Sequence, residues 1–165
     1  MGAAELNAVV AVRDAQPEDE AAVDALVGGW GGPVARLGQL VDPRALPVLV
    51  ALRDDEVVGA LAYRVDGREC EVVTIDARPE GQGAGQALLG TVRERARAEG
   101  CTRLWLVTTN DNVRAIRFYQ RFGMDLVAVG LGAIDEARAR LKPSIPARGH
   151  DGIPIRHELT FALEL

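Results

Sequence analysis

One stretch constrains this chain more than any other: Thr74-Ile75-Asp76-Ala77-Arg78-Pro79-Glu80-Gly81-Gln82-Gly83-Ala84-Gly85-Gln86-Ala87-Leu88-Leu89. It continues the run Cys70 to Ile75, which reads as a strand. It then leads into Ala87, Leu88, Val92 and Ala96, which share a helical period and stop at Gly100. A strand that turns through glycines into a helix fixes a β–α unit. It also builds an anion site, because glycines admit close backbone approach and the helix N-terminus carries unpaired N–H groups at its positive dipole end. A diphosphate is the obvious guest, and a plain turn with a helix start is the other reading of such a cluster. Two phosphate motifs are excluded. The P-loop needs Gly-Lys-Ser or Gly-Lys-Thr, and Lys142 is the only lysine. The dinucleotide fingerprint needs a third glycine where Gln86 or Leu88 stands.

Before this unit the pattern is a meander. Val9 to Val12 with Arg13 reads as a strand, and Pro17 opens a helix carrying Glu18, Asp19 and Glu20 in its first turn and Ala22, Val23, Leu26 and Val27 on its apolar face. Glycines on both sides of Trp30 break that helix, and a short helix through Val34, Leu37 and Leu40 is expected to follow. Pro47 to Leu52 and Val57 to Val65 read as strands joined by Asp54-Asp55-Glu56, and Asp66-Gly67-Arg68 turns into the strand from Cys70. After the glycine loop come a strand at Leu104 to Val107, a helix from Asn112 to Phe122 closed by Gly123, and a strand at Leu126 to Val129. A short helix at Ile134 to Leu141, a loop over Lys142 to Pro154 and a strand at Glu158 to Leu165 complete the chain. Meandering strands followed by strand–helix units predict an α+β or mixed α/β sandwich around one sheet.

Composition narrows the function. The length of 165 residues with 48% hydrophobic content suits one self-sufficient domain spanning 1–165. A net charge of -5 argues against nucleic acid as a partner, which needs clustered basic surface. No apolar run approaches the roughly 18 residues of a membrane span, and MGAAELNAVV has no basic segment ahead of an apolar one, so a cytoplasmic domain is expected. Cys70 and Cys101 form no CxxC pair, and His150 and His157 lack further ligands at useful spacing, so no metal is expected.

The second motif is Asn110-Asp111-Asn112-Val113-Arg114-Ala115-Ile116-Arg117-Phe118-Tyr119-Gln120-Arg121-Phe122-Gly123. Its polar start suits a helix N-cap, and on spacing alone Tyr119 reads either as core or as a group facing a cleft. Taken together, the two motifs resemble the GCN5-related N-acetyltransferase (GNAT) family. Gly83 and Gly85 fall on its acetyl-CoA loop, and Asn112, Ala115, Phe118, Tyr119 and Gly123 fall on its strand–helix segment without a gap. The loop departs from the family pattern at Glu80, where Gln or Arg is usual, and at Ala77, where proline is usual. The resemblance runs from Val9 to about Val129, and residues 130–157 are an insertion before the last strand, expected near the acceptor side.

The resemblance implies a single-domain fold with a mixed, mostly antiparallel sheet whose central strands splay apart, flanked by helices. It implies acetyl-CoA as acyl donor, with the backbone of Thr74, Ile75 and Asp76 on the pantetheine and Gln82, Gly83, Ala84, Gly85 and Gln86 on the diphosphate. Asn112 and Tyr119 join that cofactor site. The reaction implied is direct acetyl transfer to a primary amine of a small molecule or peptide, with Tyr119 as the acid for the leaving thiolate. Glu71 is the candidate base, with Glu69 behind it; the alternatives are two solvent-facing strand positions, or a water chain. Trp30 is read as a wall of the acceptor pocket or as a core aromatic. A non-catalytic acyl-CoA-binding regulatory or scaffold domain is the other function class, and the chain is open to a homodimer.

Overall fold

The computed structural model describes residues 9–27 and 32–165. A first strand, β1 (Ala11–Asp14), is followed by a 3-10 turn over Pro17–Asp19 and helix α1 (Glu20–Val27). Next come the short strands β2 (Val34–Arg36) and β3 (Gln39–Val41), then the meander β4 (Val48–Arg53), β5 (Glu56–Asp66) and β6 (Glu69–Ala77). The second half runs α2 (Ala84–Ala98), β7 (Arg103–Thr109), α3 (Val113–Phe122), β8 (Asp125–Gly130), α4 (Ala133–Arg140) and β9 (Glu158–Glu164). The main sheet has seven strands in the order β1-β4-β5-β6-β7-β9-β8. Among the described residues only β6 and β7 pair in parallel, as a connection through a helix allows.

The expected helix through Val34, Leu37 and Leu40 is instead the β2–β3 hairpin. Its turn is Leu37-Gly38, with φ of 46° and 73°. Two consecutive positive φ values make the primed two-residue turn whose twist suits a hairpin, so local turn chemistry outweighs the apolar spacing. The same device at Asp54 and Asp55, with φ of 49° and 64°, links β4 to β5. Trp30 lies outside the described residues.

The two faces of the sheet differ. On one, α2 buries Ala84, Leu88, Leu89, Val92 and Ala96 against Leu49, Leu61, Tyr63, Val72, Leu104, Leu106 and Phe161, with α3 packed beside it. Leu61, Leu88, Leu89, Leu104 and Leu106 are all fully buried there, and each truncated to Ala would remove about 2–5 kcal/mol. On the other face, Val23 and Leu26 of α1 pack against Val50 and Ala60. Arg95 ties α2 to β1 through a forked ion pair with Asp14 at 2.5 and 3.0 Å. That guanidinium holds the Asp14 carboxyl below its usual range.

Cys70 and Cys101 are buried free thiols in this core. Burial pushes the Cys70 thiol up to about 12 and the Cys101 thiol up as well. A raised folded value favours folding fully below the ordinary thiol range near 8.5, and that contribution is lost as pH rises from about 9 toward 12. Urea midpoints at pH 8 and pH 10.5 are expected to drop less for Cys70→Ala than for the wild-type chain. An equal drop in both would assign the alkaline loss to other groups.

Candidate active site

The site is built where the sheet opens. Strands β6 and β7 pair only over Glu69–Val72 and Arg103–Leu106. Past that point they separate, although β6 continues to Ala77 against β5 and β7 continues to Thr109 against β9. The β7-facing edge of Thr74, Ile75 and Asp76 is thus left without a strand partner, and its backbone groups can take an extended, amide-bearing ligand.

The glycine loop sits at the open end of this split. Gly81 and Gly83 have φ of 76° and 87°, a region that side-chain-bearing residues rarely adopt. Gly83 is the N-cap of α2 and supplies no side-chain cap, so first-turn amides near Ala84, Gly85 and Gln86 stay available for an anion. A Cβ at Gly83 would meet nothing within 4 Å, so open space lies before the loop. The residues therefore fit a diphosphate. A Cβ at Gly85 would stand 3.3 Å from the Phe118 ring of α3, so the packing of α3 on the α2 N-terminus also favours glycine there. Arg53 fastens the loop by donating to the Gln82 side chain and carbonyl, both at 2.5 Å. Glu80 is paired with Arg114 at 2.5 Å, so its charge at this family-atypical position is countered within the chain. Gly83→Val is expected to weaken acetyl-CoA binding at least tenfold through the misplaced loop. Calorimetric titration checks this, and unchanged affinity in a folded variant would contradict it.

The α3 motif closes the other side. Asn112 is the N-cap of α3, its side chain accepting from the Ala115 N–H at 3.3 Å. Its Oδ1 thus serves the helix. Phe118 leans on the α2 N-terminus, while Tyr119 is the more deeply buried of the pair, its ring 5.9 Å from Phe161. Burial, and to a smaller extent the Asp76 carboxylate, push the Tyr119 phenol above its ordinary value. The phenol therefore keeps its proton through the neutral range and can donate it.

Glu71 does not stand at a solvent-facing strand position. It is 2% exposed, and its Oε2 accepts from both Arg36 and, at 2.7 Å, Arg64. Glu69, by contrast, is exposed and paired with Arg103 at 3.2 Å. The difference follows from the sheet: Glu71 lies opposite Arg64 on β5 and Trp105 on β7, under the β2–β3 hairpin that supplies Arg36. A register shift opposite Ala62 and Tyr63 leaves Val73 unpaired, so Glu71 and Thr74, three apart, face the same side. Arg36 also lies over the Trp105 ring, 5.6 Å from its centroid.

Several members of this polar face were not singled out from sequence: Arg36, Arg64, Trp105 and the buried Glu158, whose Oε2 accepts from the Leu37 N–H at 2.9 Å. They come from three strands and a hairpin far apart in the chain, and no local spacing links them. Residues 130–157 border the same region. Lys142 donates to the Pro33 carbonyl at 2.8 Å, Asn110 holds Pro154, Arg156 and His157, and the buried Asp111 accepts from the His150 N–H. Among the described residues no group of three or more His, Cys, Asp or Glu side chains converges as metal ligands, and no helix is long and apolar enough to cross a membrane.

A split sheet with a glycine-capped helix at its mouth is the architecture of the N-acetyltransferase fold class. The family model of the acetyltransferase (GNAT) family matches residues 15–124, and the chain belongs to that family. It is 46% identical over 107 residues to the uncharacterised protein YdhI of Bacillus subtilis (strain 168), covering 65% of this chain and 66% of that one. It is also 29% identical over 125 residues to streptothricin acetyltransferase of Streptomyces lavendulae, covering 72% and 66%. The chain thus spans about two thirds of the length of these relatives. Among solved structures, nourseothricin acetyltransferase superposes with a TM-score of 0.67 at 27% identity, over 94% of this chain and 98% of that one. A Bacillus subtilis acetyltransferase in complex with CoA superposes with a TM-score of 0.72 at 16% identity, over 95% and 99%, a likeness of fold.

Proposed function

We propose that this protein transfers the acetyl group of acetyl-CoA directly to a primary amine of a small molecule or peptide. The observation that carries the reading is the split between β6 and β7, open beside a glycine-capped helix and flanked by a buried, protonated Tyr119. Acetyl-CoA, when bound, supplies the activated acyl group as a thioester. The α2 N-terminus and the loop amides hold the diphosphate, and the open edge of Thr74 to Asp76 holds the pantetheine arm. An edge N–H beside Ile75 polarises the carbonyl that is attacked. An alkylammonium is mostly protonated at pH 7, so the acceptor must lose a proton to attack. Glu71 Oε1, buried and engaged by no partner, is the acceptor of that proton in this reading. Tyr119 provides a proton to the departing sulfur. Asn112 orients the ligand from the α3 cap.

A panel of amines tests the reading through thiol release from acetyl-CoA, alongside calorimetric titration of acetyl-CoA alone. Thiol release that depends on both the amine and the protein supports acetyl transfer. Tight acetyl-CoA binding without turnover on any amine would leave a domain that only binds the acyl-CoA.

A further inference from the structure

Among the described residues, three buried side-chain atoms have no hydrogen-bond partner, and all lie on the polar face above the sheet: Arg36 Nε, Glu71 Oε1 and Thr74 Oγ1. Buried polar groups in folded proteins are almost always paired, and an unpaired one attached to a charge is the costliest kind. These three share one face. Glu71 and Thr74 point to the same side of β6, and Arg36 sits on Glu71. The arrangement arises because the ion pair is one-armed. It uses one guanidinium nitrogen and one carboxylate oxygen, and Arg64 occupies that same oxygen. The second guanidinium donor and the second carboxylate oxygen are left to flank the pair.

The chemistry of these buried, unpaired atoms specifies the partner that would satisfy them. Arg36 Nε only donates and Glu71 Oε1 only accepts, while the Thr74 hydroxyl does either. A simple alkylamine offers donors and would leave Arg36 Nε unmet. A simple anion offers acceptors and would leave Glu71 Oε1 unmet. A molecule with an amine beside a carboxylate or carbonyl oxygen meets both. The guanidinium is fixed for recognition. Trp105 lies against it, and the Leu37-to-Glu158 hydrogen bond pins the hairpin that carries it.

We propose that the acceptor is an amino acid or amino-acid amide, its amine on Glu71 Oε1 and its adjacent oxygen on Arg36 Nε and Thr74 Oγ1. This rests on the acetyl-transfer reading above and names the substrate class of that same site. Arg36 and Thr74 then determine specificity, and Glu71 meets the reacting amine.

The test compares kcat/KM for alanine, alaninamide and isopropylamine, with concentrations expressed as neutral amine so that their different basicities cancel. The wild-type chain is expected to prefer alanine or alaninamide over isopropylamine at least about tenfold, the discrimination one hydrogen bond to a charged group supports. Which of the two is better tells whether the adjacent oxygen is a carboxylate or a carbonyl. Arg36→Lys keeps the cation and loses Nε, so the preference ratio is expected to fall toward one. Thr74→Val keeps the volume and loses the hydroxyl, so the ratio is expected to fall part of the way, and it serves if Arg36→Lys does not fold. Equal use of isopropylamine by the wild-type chain, or an unchanged ratio in the folded variants, would overturn the assignment while leaving acetyl transfer intact. Binding of acetyl-CoA without turnover on any amine would instead overturn acetyl transfer, and this assignment with it.

Discussion

Glu71→Gln is expected to lower turnover at pH 7 by about 10²- to 10⁴-fold, the range over which a positioned base contributes. Glutamine preserves the shape and an accepting oxygen but cannot take the amine's proton. As pH approaches the amine's own value, free amine becomes abundant and the variant is expected to recover part of its rate. The substitution also has a structural cost. It leaves the Arg36 guanidinium, 4% exposed, without its counter-charge, and breaking such a buried pair destabilises by about 3–5 kcal/mol. Turnover must therefore be expressed per folded molecule, with denaturant unfolding run in parallel. A pH–rate profile of the same shape as wild type would give the proton to water and leave Glu71 as the anchor of Arg36 alone.

Tyr119→Phe separates packing from chemistry. The ring stays in contact with Phe161, and among the described residues no hydrogen bond ties the hydroxyl to the protein, so its loss orphans no partner. Folding and acetyl-CoA affinity are expected to be nearly unchanged. The rate of thioester cleavage is expected to fall about 10²-fold or more, because the sulfur then leaves without a proton donor. An acyl donor with a more acidic leaving thiol is expected to show a smaller loss. The raised phenol value adds a sign to the pH dependence: the group stays protonated beyond pH 10, so its ionisation contributes no alkaline limb below that point. Equal rates for Tyr119→Phe and wild type, with chemistry limiting, would make Tyr119 a packing residue.

The two predictions draw on different amounts of sequence information. Tyr119 and the glycine loop are written in contiguous motifs: strand, glycines and helix start in one stretch, and N-cap, helix and closing Gly123 in the other. Their geometry is set by local rules: Gly83 takes a positive φ at the helix start, and the cap falls on Asn112, within the polar run Asn110-Asp111-Asn112. The meander from Val48 to Ala77 was legible for the same reason, since alternation and two-residue turns are short-range signals. The setting of Glu71 was not. Whether a glutamate on an alternating strand faces water depends on what covers that face, and the cover is the β2–β3 hairpin, 35 residues earlier. That hairpin was hidden because Val34, Leu37 and Leu40 satisfy a helical spacing, while the deciding turn needs a leucine at positive φ. Glu158 joins from the far end of the chain, 121 residues from Leu37, and no spacing rule reaches that distance. The Phe118 ring packed 3.3 Å from where a Gly85 Cβ would stand is a contact between α2 and α3 that the glycine motif by itself does not announce.

In the proposed reaction the acetyl group passes directly to the amine, without an acylated protein. The measurement that tests it follows isotope-labelled acetyl-CoA by mass spectrometry, under single-turnover conditions with the amine panel present. The label is expected on the amine nitrogen of the product, with the intact protein unchanged in mass at every time point, as suits a chain whose two cysteines are buried in the core. Label that appears first on the protein and passes later to the amine would contradict direct transfer.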